Sequence, residues 1–409
     1  MLGVKRSAHG TFPAFTCRRP LHHYVVGLSL GPANPWSAVS RSTTVENRRY
    51  GSSLPGISQV ESIDSGVQDV VTSSSAPSTS VLLSALFGLP LALWAYKCLM
   101  MVMFQRKIIY MGYIPPGARS ETLDSMDPLL QGLQAEKIVV ASDPGIKLEG
   151  FLLRKEASAV NTSPRRVVIV YFQGNVGSPI QRLPIFRKLC LAVGSANGPL
   201  SDLELDLIAV PPRSYGLSTN ARPNQRALLS DYRAVVEHVT IRYAELDKRD
   251  GVQTKIVWYG HSLGASIATC LLASISKQGF DDRKIVCDGL IFENGFASIK
   301  GMVRTLYPQR FLPYYWLTPF VADDWNAVDA FQSSKEAGSM INTVPKLFIA
   351  SEKDEMVPTE MVKRVYERAV EHGEPGIPCE WLGVKDAMHD FAYQKPSWLS
   401  GITRFIAKL

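Results

Sequence analysis

The chain has 409 residues, 46% of them apolar and 20% charged, which is enough for a sizeable core and more than one segment. Its net charge of +7 does not mark a nucleic-acid-binding face. Lys5, Arg6, Arg18, Arg19, Arg41, Arg48 and Arg49, set against Glu46, concentrate +6 of that charge in residues 1–49. The six cysteines, with no C-x-x-C and no regular spacing, form neither a disulfide framework nor a zinc site, and no metal or cofactor is expected.

Residues 1–49 carry no acid before Glu46 and are rich in Arg, Ser, Thr, Pro and Gly. That composition fits an organellar transit peptide, with mitochondrial import favoured and an endoplasmic-reticulum or other endomembrane location as the alternative. A secretory leader would need a longer apolar run than Tyr24–Leu30, which Gly27 breaks. Residues 50–79 are Ser-rich, carry Glu61, Asp64 and Asp69, and read as a linker.

Residues 80–104 predict one transmembrane helix. Ser80 to Tyr96 is free of charge, and Cys98 to Phe104 resumes the apolar run after Lys97. The stretch reaches the roughly 20 residues a bilayer requires, Lys97 can snorkel, and Pro90 is tolerated in lipid. A buried or interfacial helix is the alternative. Arg106 and Lys107 behind it favour a cytoplasmic-like side for the C-terminal domain.

From residue 105 to 409, strands and helices alternate. A hairpin turns at Asp143-Pro-Gly145, buried strands come next at Arg166–Phe172 and Leu205–Val210, and a long helix runs from Asn224 to Leu246. Further strands are expected at Ile256–Tyr259, Ile285–Phe292, Lys346–Ala350 and Pro378–Leu382, with a helix at the C-terminus. Alternating βα units imply an α/β fold: a mainly parallel sheet, covered by helices on both faces, with its chemistry at the carboxyl ends of the strands.

Within that pattern lies Gly260-His-Ser-Leu-Gly264, with a strand before it and a small-residue helix after it. A G-x-S-x-G turn of this kind exposes a serine hydroxyl above the sheet, whereas a plain Gly–Ser turn capping a helix gives the same letters. If Ser262 is a nucleophile, it needs a histidine and an acid further along the chain. His9, His22 and His23 lie in the leader, and His261 in so tight a turn should point away from Ser262. His238 falls mid-helix and His372 ends a helix, which leaves His389 in the last loop. Asp354, just beyond the strand ending at Ala350, is the expected acid, with Glu355 as substitute. The order Ser262, Asp354, His389 is that of an α/β-hydrolase. The oxyanion donors would be the backbone N–H groups of Leu263 and of Asn175 in Gln173-Gly174-Asn175.

The chain resembles the membrane-anchored α/β-hydrolases that include the fungal BEM46 proteins and the mammalian ABHD12, ABHD13 and ABHD17 type, over about residues 100–409. The resemblance rests on Tyr171-Phe-Gln-Gly-Asn-Val-Gly177, Arg213-Ser-Tyr-Gly-Leu-Ser218, Gly260-His-Ser-Leu-Gly264, Glu293-Asn-Gly-Phe-Ala-Ser298, Lys353-Asp-Glu-Met-Val-Pro358 and Ala387-Met-His-Asp390. It implies a single N-terminal anchor, a triad of Ser262, Asp354 and His389, and hydrolysis of ester or thioester bonds in lipid-like or acylated substrates. The chain departs from the pattern at Gln173, where relatives have His, and at Pro211-Pro-Arg-Ser-Tyr-Gly216, where they have Asp-Tyr-Arg-Gly-Tyr-Gly. Those departures bear on substrate range, and the first of them supports the alternative of a non-catalytic, membrane-tethered scaffold. Residues 296–341 hold nine aromatics and several prolines, suited either to a lid with an acyl slot or to a helix packed on the sheet. Asn161-Thr-Ser163 is the one glycosylation sequon.

Overall fold

The computed structural model describes residues 78–409 apart from 157–164, 194–199, 201, 277–284, 311 and 338. The expected transit peptide, nearly all of the linker and the Asn161 sequon therefore lie outside the described residues.

The first element is the apolar helix α1, Thr79–Ile109, long and apolar enough to cross a membrane and with none of its most apolar stretch buried against the rest of the chain. A π turn over Ser84–Gly88 precedes Pro90, which has no N–H to give to the preceding turn. The helix runs five residues beyond the expected Phe104, because Arg106 and Lys107 sit in its last turn, where cations oppose the dipole.

Eight strands then form one sheet: β1 Leu133–Ala141, β2 Lys147–Lys155, β3 Arg165–Phe172, β4 Leu203–Ala209, β5 Thr254–His261, β6 Gly289–Glu293, β7 Lys346–Ser351 and β8 Cys379–Val384. Their order across the sheet is β1-β2-β4-β3-β5-β6-β7-β8. The β1–β2 and β2–β4 pairs are antiparallel and the other five are parallel. The expected strand at Ile285 shortens to Gly289–Glu293. Asp288 turns its carboxylate onto the Ile256 N–H at 2.8 Å and so ends the ladder early.

The helices are α2 Leu183–Ala192, α3 Gln225–Asp250, α4 Leu263–Ala273, α5 Ile299–Leu306, α6 Pro313–Trp316, α7 Ala327–Ala337, α8 Thr359–His372 and α9 Pro396–Ala407. The period of two along β3 sorts them into layers. Val168, Val170 and Phe172 join the core under α3, α4, α7 and α8, while Val167, Ile169 and Tyr171 join the core under α2 and α9. Both faces of the sheet are thus dry along β3 to β7, which is why those strands read as continuous apolar runs, whereas edge strand β1 leaves residues 134–137 exposed.

The loop after β4 is fixed by charge. Fully buried Asp231 of α3 accepts from Arg213 Nε at 2.9 Å and Nη2 at 2.7 Å, from the Arg213 N–H at 2.9 Å and from Ser142 Oγ at 2.7 Å. Arg213 also reaches Asp143 in the β1–β2 turn at 2.5 Å. Removing one partner would strand a buried charge. Arg213→Met should lower unfolding free energy by about 3 kcal/mol, read from urea denaturation.

Candidate active site

The turn at Ser262 forms because the residues two positions either side, Gly260 and Gly264, lack side chains. Ser262 has φ +55° and ψ −123°, a strained left-handed conformation for a non-glycine residue. A Cβ on Gly264 would overlap the Phe172 carbonyl, and one on Gly260 would overlap the backbone of Ala265, so only glycine lets α4 cross this close to β3 and β5. The Ser262 N–H donates to the Glu293 carbonyl at 2.9 Å, which carries the β5–β6 ladder into the turn. Ser262 is 9% exposed, and its hydroxyl makes no hydrogen bond to another described residue.

His389 and Asp354 meet. Nδ1 of His389 lies 2.7 Å from Asp354 Oδ2, and the Asp354 side chain is 1% exposed. The other carboxylate oxygen accepts the N–H groups of Met356 at 2.8 Å and Val357 at 2.7 Å, which fixes the carboxylate before the imidazole arrives. Glu355, the expected substitute, has a different place: it accepts the backbone N–H of His389 at 3.1 Å. Burial works against an imidazolium at His389, but the hydrogen bond and charge of Asp354, helped by Asp390, outweigh it and raise the pKa above 6.5.

Both predicted oxyanion donors border this turn. Leu263 heads α4, where an N–H has no acceptor within the helix. Across from it, a Cβ on Gly174 would lie 3.8 Å from Ser262 Cβ, so the loop after β3 passes directly over the serine. Asn175 is held there by its carbonyl, which accepts from the Met111 N–H at 2.7 Å and from Tyr215 Oη at 3.1 Å. Gln173 is buried, with its N–H on Tyr232 Oη at 2.7 Å and its Nε2 on the Val176 carbonyl at 2.8 Å. The Gly174–Gly177 turn is therefore a braced loop.

His261, expected to point away from Ser262, sends its side chain toward the histidine loop. Its ring lies 4.9 Å from that of His389, and its Nε2 lies 3.1 Å from the His389 carbonyl oxygen. Its Nδ1 faces Arg182 Nη2 at 3.4 Å, so the neighbours select the Nε2–H tautomer. Burial, followed by the charges of Arg182 and His389, pushes this imidazole well below 6.5 and keeps it neutral. Asn294 Nδ2 donates to the same His389 carbonyl at 2.7 Å and to Ser351 Oγ at 2.9 Å, while its Oδ1 accepts the Ser351 N–H at 2.8 Å. Asn294 and His261 thus hold the histidine loop by its backbone. The Glu293-Asn-Gly-Phe stretch could have pointed to Asn294. Nothing local in the sequence marks Arg182, which comes from the turn before α2 and pairs with Asp390 at 2.7 Å.

His261, His389 and Asp390 bring ligand atoms within 4.8 Å of one another. The guanidinium of Arg182 already occupies that charge niche, and a cation there would meet it at contact distance. A cavity of about 320 Å³ lies beyond the loop after β3, walled by Leu123, Leu130, Phe151, Pro179, Ile180 and Leu217. Its walls include Pro211 and Gly216 from the stretch that departs from the family pattern, but not Ser262, Asp354 or His389. The aromatics of residues 296–341 divide: Phe296, Trp325 and Phe331 are buried in the core, whereas Trp316 and Phe320 face outward.

No family model matches the chain. It is similar to protein bem46 of Schizosaccharomyces pombe, at 27% identity over 297 residues, which span 73% of this chain and 81% of that protein. It is also similar to the alpha/beta hydrolase domain-containing protein WAV2 of Arabidopsis thaliana, at 26% over 312 residues, 74% of this chain and 85% of the relative. The lysophosphatidylserine lipase ABHD12 of Danio rerio matches at 27% over 253 residues, 58% of each chain. Among solved structures, an esterase of Pyrococcus furiosus, Pf2001, aligns over 70% of this chain and 96% of its own, with 17% identity and a TM-score of 0.47.

Asp354→Asn should leave burial and Arg182 to act on His389 against Asp390 alone. The His389 pKa should then fall below 6.5, as an NMR titration of the imidazole would report. The sign also sets a stability trend. A raised histidine pKa favours the folded state at acid pH, and that contribution is lost as pH rises through the native value.

Proposed function

We propose that this chain, which has the α/β-hydrolase fold and is related in sequence to bem46 and WAV2, is a membrane-anchored serine hydrolase that cleaves acyl ester or thioester bonds of lipid-like or acylated substrates. The observation that carries the reading is the 2.7 Å contact of His389 with a buried, pre-oriented Asp354, the His389 ring lying 4.9 Å from that of His261, the residue before a serine in a strained turn.

Asp354 accepts the Nδ1–H of His389 and so leaves Nε2 as the basic nitrogen. Ser262 Oγ attacks the acyl carbon while His389 Nε2 takes the hydroxyl proton, and the carbonyl oxygen becomes an oxyanion facing the N–H groups of Leu263 and Asn175. Collapse breaks the bond to the leaving alcohol or thiol, which takes the proton back from His389. Water, activated by the same imidazole, then hydrolyses the acyl-enzyme and restores the serine. Each N–H donor of this kind typically contributes about 3 kcal/mol to the barrier.

A lipid-like substrate suits three features: the apolar helix at the head of the described chain, the cavity near the loop after β3, whose walls combine Leu123, Leu130 and Phe151 with Glu121, Glu136, Lys137 and Glu149, and the similarity to a lysophosphatidylserine lipase. The altered residues Pro211 and Gln173 border this region and would tune the acyl or head group accepted.

The test is activity-based. A fluorophosphonate probe should label the wild type and not Ser262→Ala, and ester turnover should fall in that variant by about a thousandfold or more. Folded wild-type protein that neither labels nor turns over a panel of acyl esters and thioesters would sink the proposal. Since His389 must be neutral to act as base, turnover should rise with pH through a value above 6.5.

A further inference from the structure

We infer that residues 299–322 form a docking surface for a lipid bilayer, with Trp316 and Phe320 in the boundary between headgroups and acyl chains. The inference rests on the anchored-hydrolase reading above and adds where the membrane sits relative to the site.

The level of the membrane is set by α1. Its residues from Thr79 to Tyr96 carry no charge and rise about 27 Å, close to the roughly 30 Å of a hydrocarbon core. Lys97 is the first charge and so marks the headgroup level. The segment 307–323 runs beside the remainder of this helix. At its far end, Arg106 Nε pairs with Asp323 at 2.9 Å. Gln105 donates to the Phe320 carbonyl at 3.1 Å and accepts the Ala322 N–H at 2.8 Å. At the near end, Lys97 Nζ stands 5.3 Å from the centre of the Tyr314 ring, which packs on Tyr307 at 4.6 Å. The turn at α6 therefore reaches the depth where α1 would enter lipid.

The groups presented at that depth suit an interface. Trp316 is 60% exposed and Phe320 62% exposed, although the Trp316 indole N–H is already satisfied by the Arg310 carbonyl at 2.6 Å. Residues 299–322 include no Asp or Glu; Arg310 lies over the Tyr315 ring at 6.0 Å and Arg304 is nearby in α5, as contact with anionic lipid favours, while Lys300 faces Asp324 at 3.9 Å. The same surface adjoins the catalytic mouth. Beyond α1, Met111 bridges to Val176 and donates to the Asn175 carbonyl, and α5 comes directly after the Glu293–Ser298 loop. A mouth set this way takes an acyl chain laterally from the bilayer.

The experiment uses the full chain reconstituted in phosphatidylcholine–phosphatidylglycerol vesicles, with and without lipids brominated near the head of the acyl chain. The emission lost in Trp316→Phe isolates Trp316, and that lost in Trp94→Phe isolates a residue within α1. Both components should be quenched at least about twofold by the brominated lipid. Quenching of Trp94 without Trp316 would overturn the docking surface, and quenching of neither would overturn the anchor and the docking together. Shielding of Trp316 that depends on protein concentration in detergent would make a second copy the occupant and would also overturn the inference. In a second arm, Trp316→Ser with Phe320→Ser should cut turnover of a long-chain ester held in vesicles about tenfold, while a soluble short-chain ester changes less than about twofold. Equal loss on both esters would count against docking. Quenching of both tryptophans with no fluorophosphonate label at Ser262 would leave docking standing and remove only the hydrolase.

Discussion

The constraint on which the rest of the structure depends is steric: β5 must turn into α4 within one residue, and that residue is Ser262 with a positive φ. The turn costs on the order of 1–3 kcal/mol in backbone strain and survives because the surroundings allow no other path. Phe172 and Gln173 press on Gly264 from β3, Ala265 presses on Gly260, and the Glu293 carbonyl takes the Ser262 N–H. Both core clusters, built on alternate residues of the same strands, keep those neighbours from yielding. Tight packing far from the site thus holds Ser262 in its strained turn.

Around that turn a second organising feature is polar. At the carboxyl edge of the sheet, the carboxylates of Glu293, Asp354 and Asp390 each have a partner. Glu293 is bonded by Trp398 Nε1 at 2.8 Å and by the Tyr259 hydroxyl, and burial raises its pKa. Partial desolvation works to raise the Asp390 carboxyl, yet Arg182 and the two histidines keep it well below the usual carboxylate range. The result is a pair of neighbouring imidazoles with opposite tendencies, His261 held neutral and His389 drawn toward the cation.

A third feature is the joint at the end of α1. Asp323 accepts from Arg106 on the apolar helix and from the Gln225 N–H at the start of α3, while Trp325 donates to the Tyr110 hydroxyl at 2.9 Å. The apolar helix is thereby tied to the segment after β6 and to the loop above the serine, through buried polar contacts that would be costly to break.

Much of this architecture is legible in the residues. The alternation of βα units, the Asp143-Pro-Gly145 hairpin and the apolar run before Arg106 are local patterns with a period or a turn chemistry, and each becomes the element it implies. The G-x-S-x-G turn is readable for the same reason: glycines at both flanks are a local steric requirement. Asp354 and His389 can be singled out only because few histidines compete and because strand ends are where such groups gather. Their 2.7 Å contact joins loops 35 residues apart and exists only in three dimensions. The contact of His261 with the histidine loop is not legible, since a neighbour in sequence says nothing about a carbonyl 128 residues away. Arg182, Asn294 and the contact between Lys97 and Tyr314 are likewise decided by the tertiary structure. The sequence determines which segments must be dry, where the backbone must turn and which groups can hold charge. The closure of the sheet decides which of those groups meet, because a hydrogen bond or an ion pair depends on distance in space and carries no trace in local pattern.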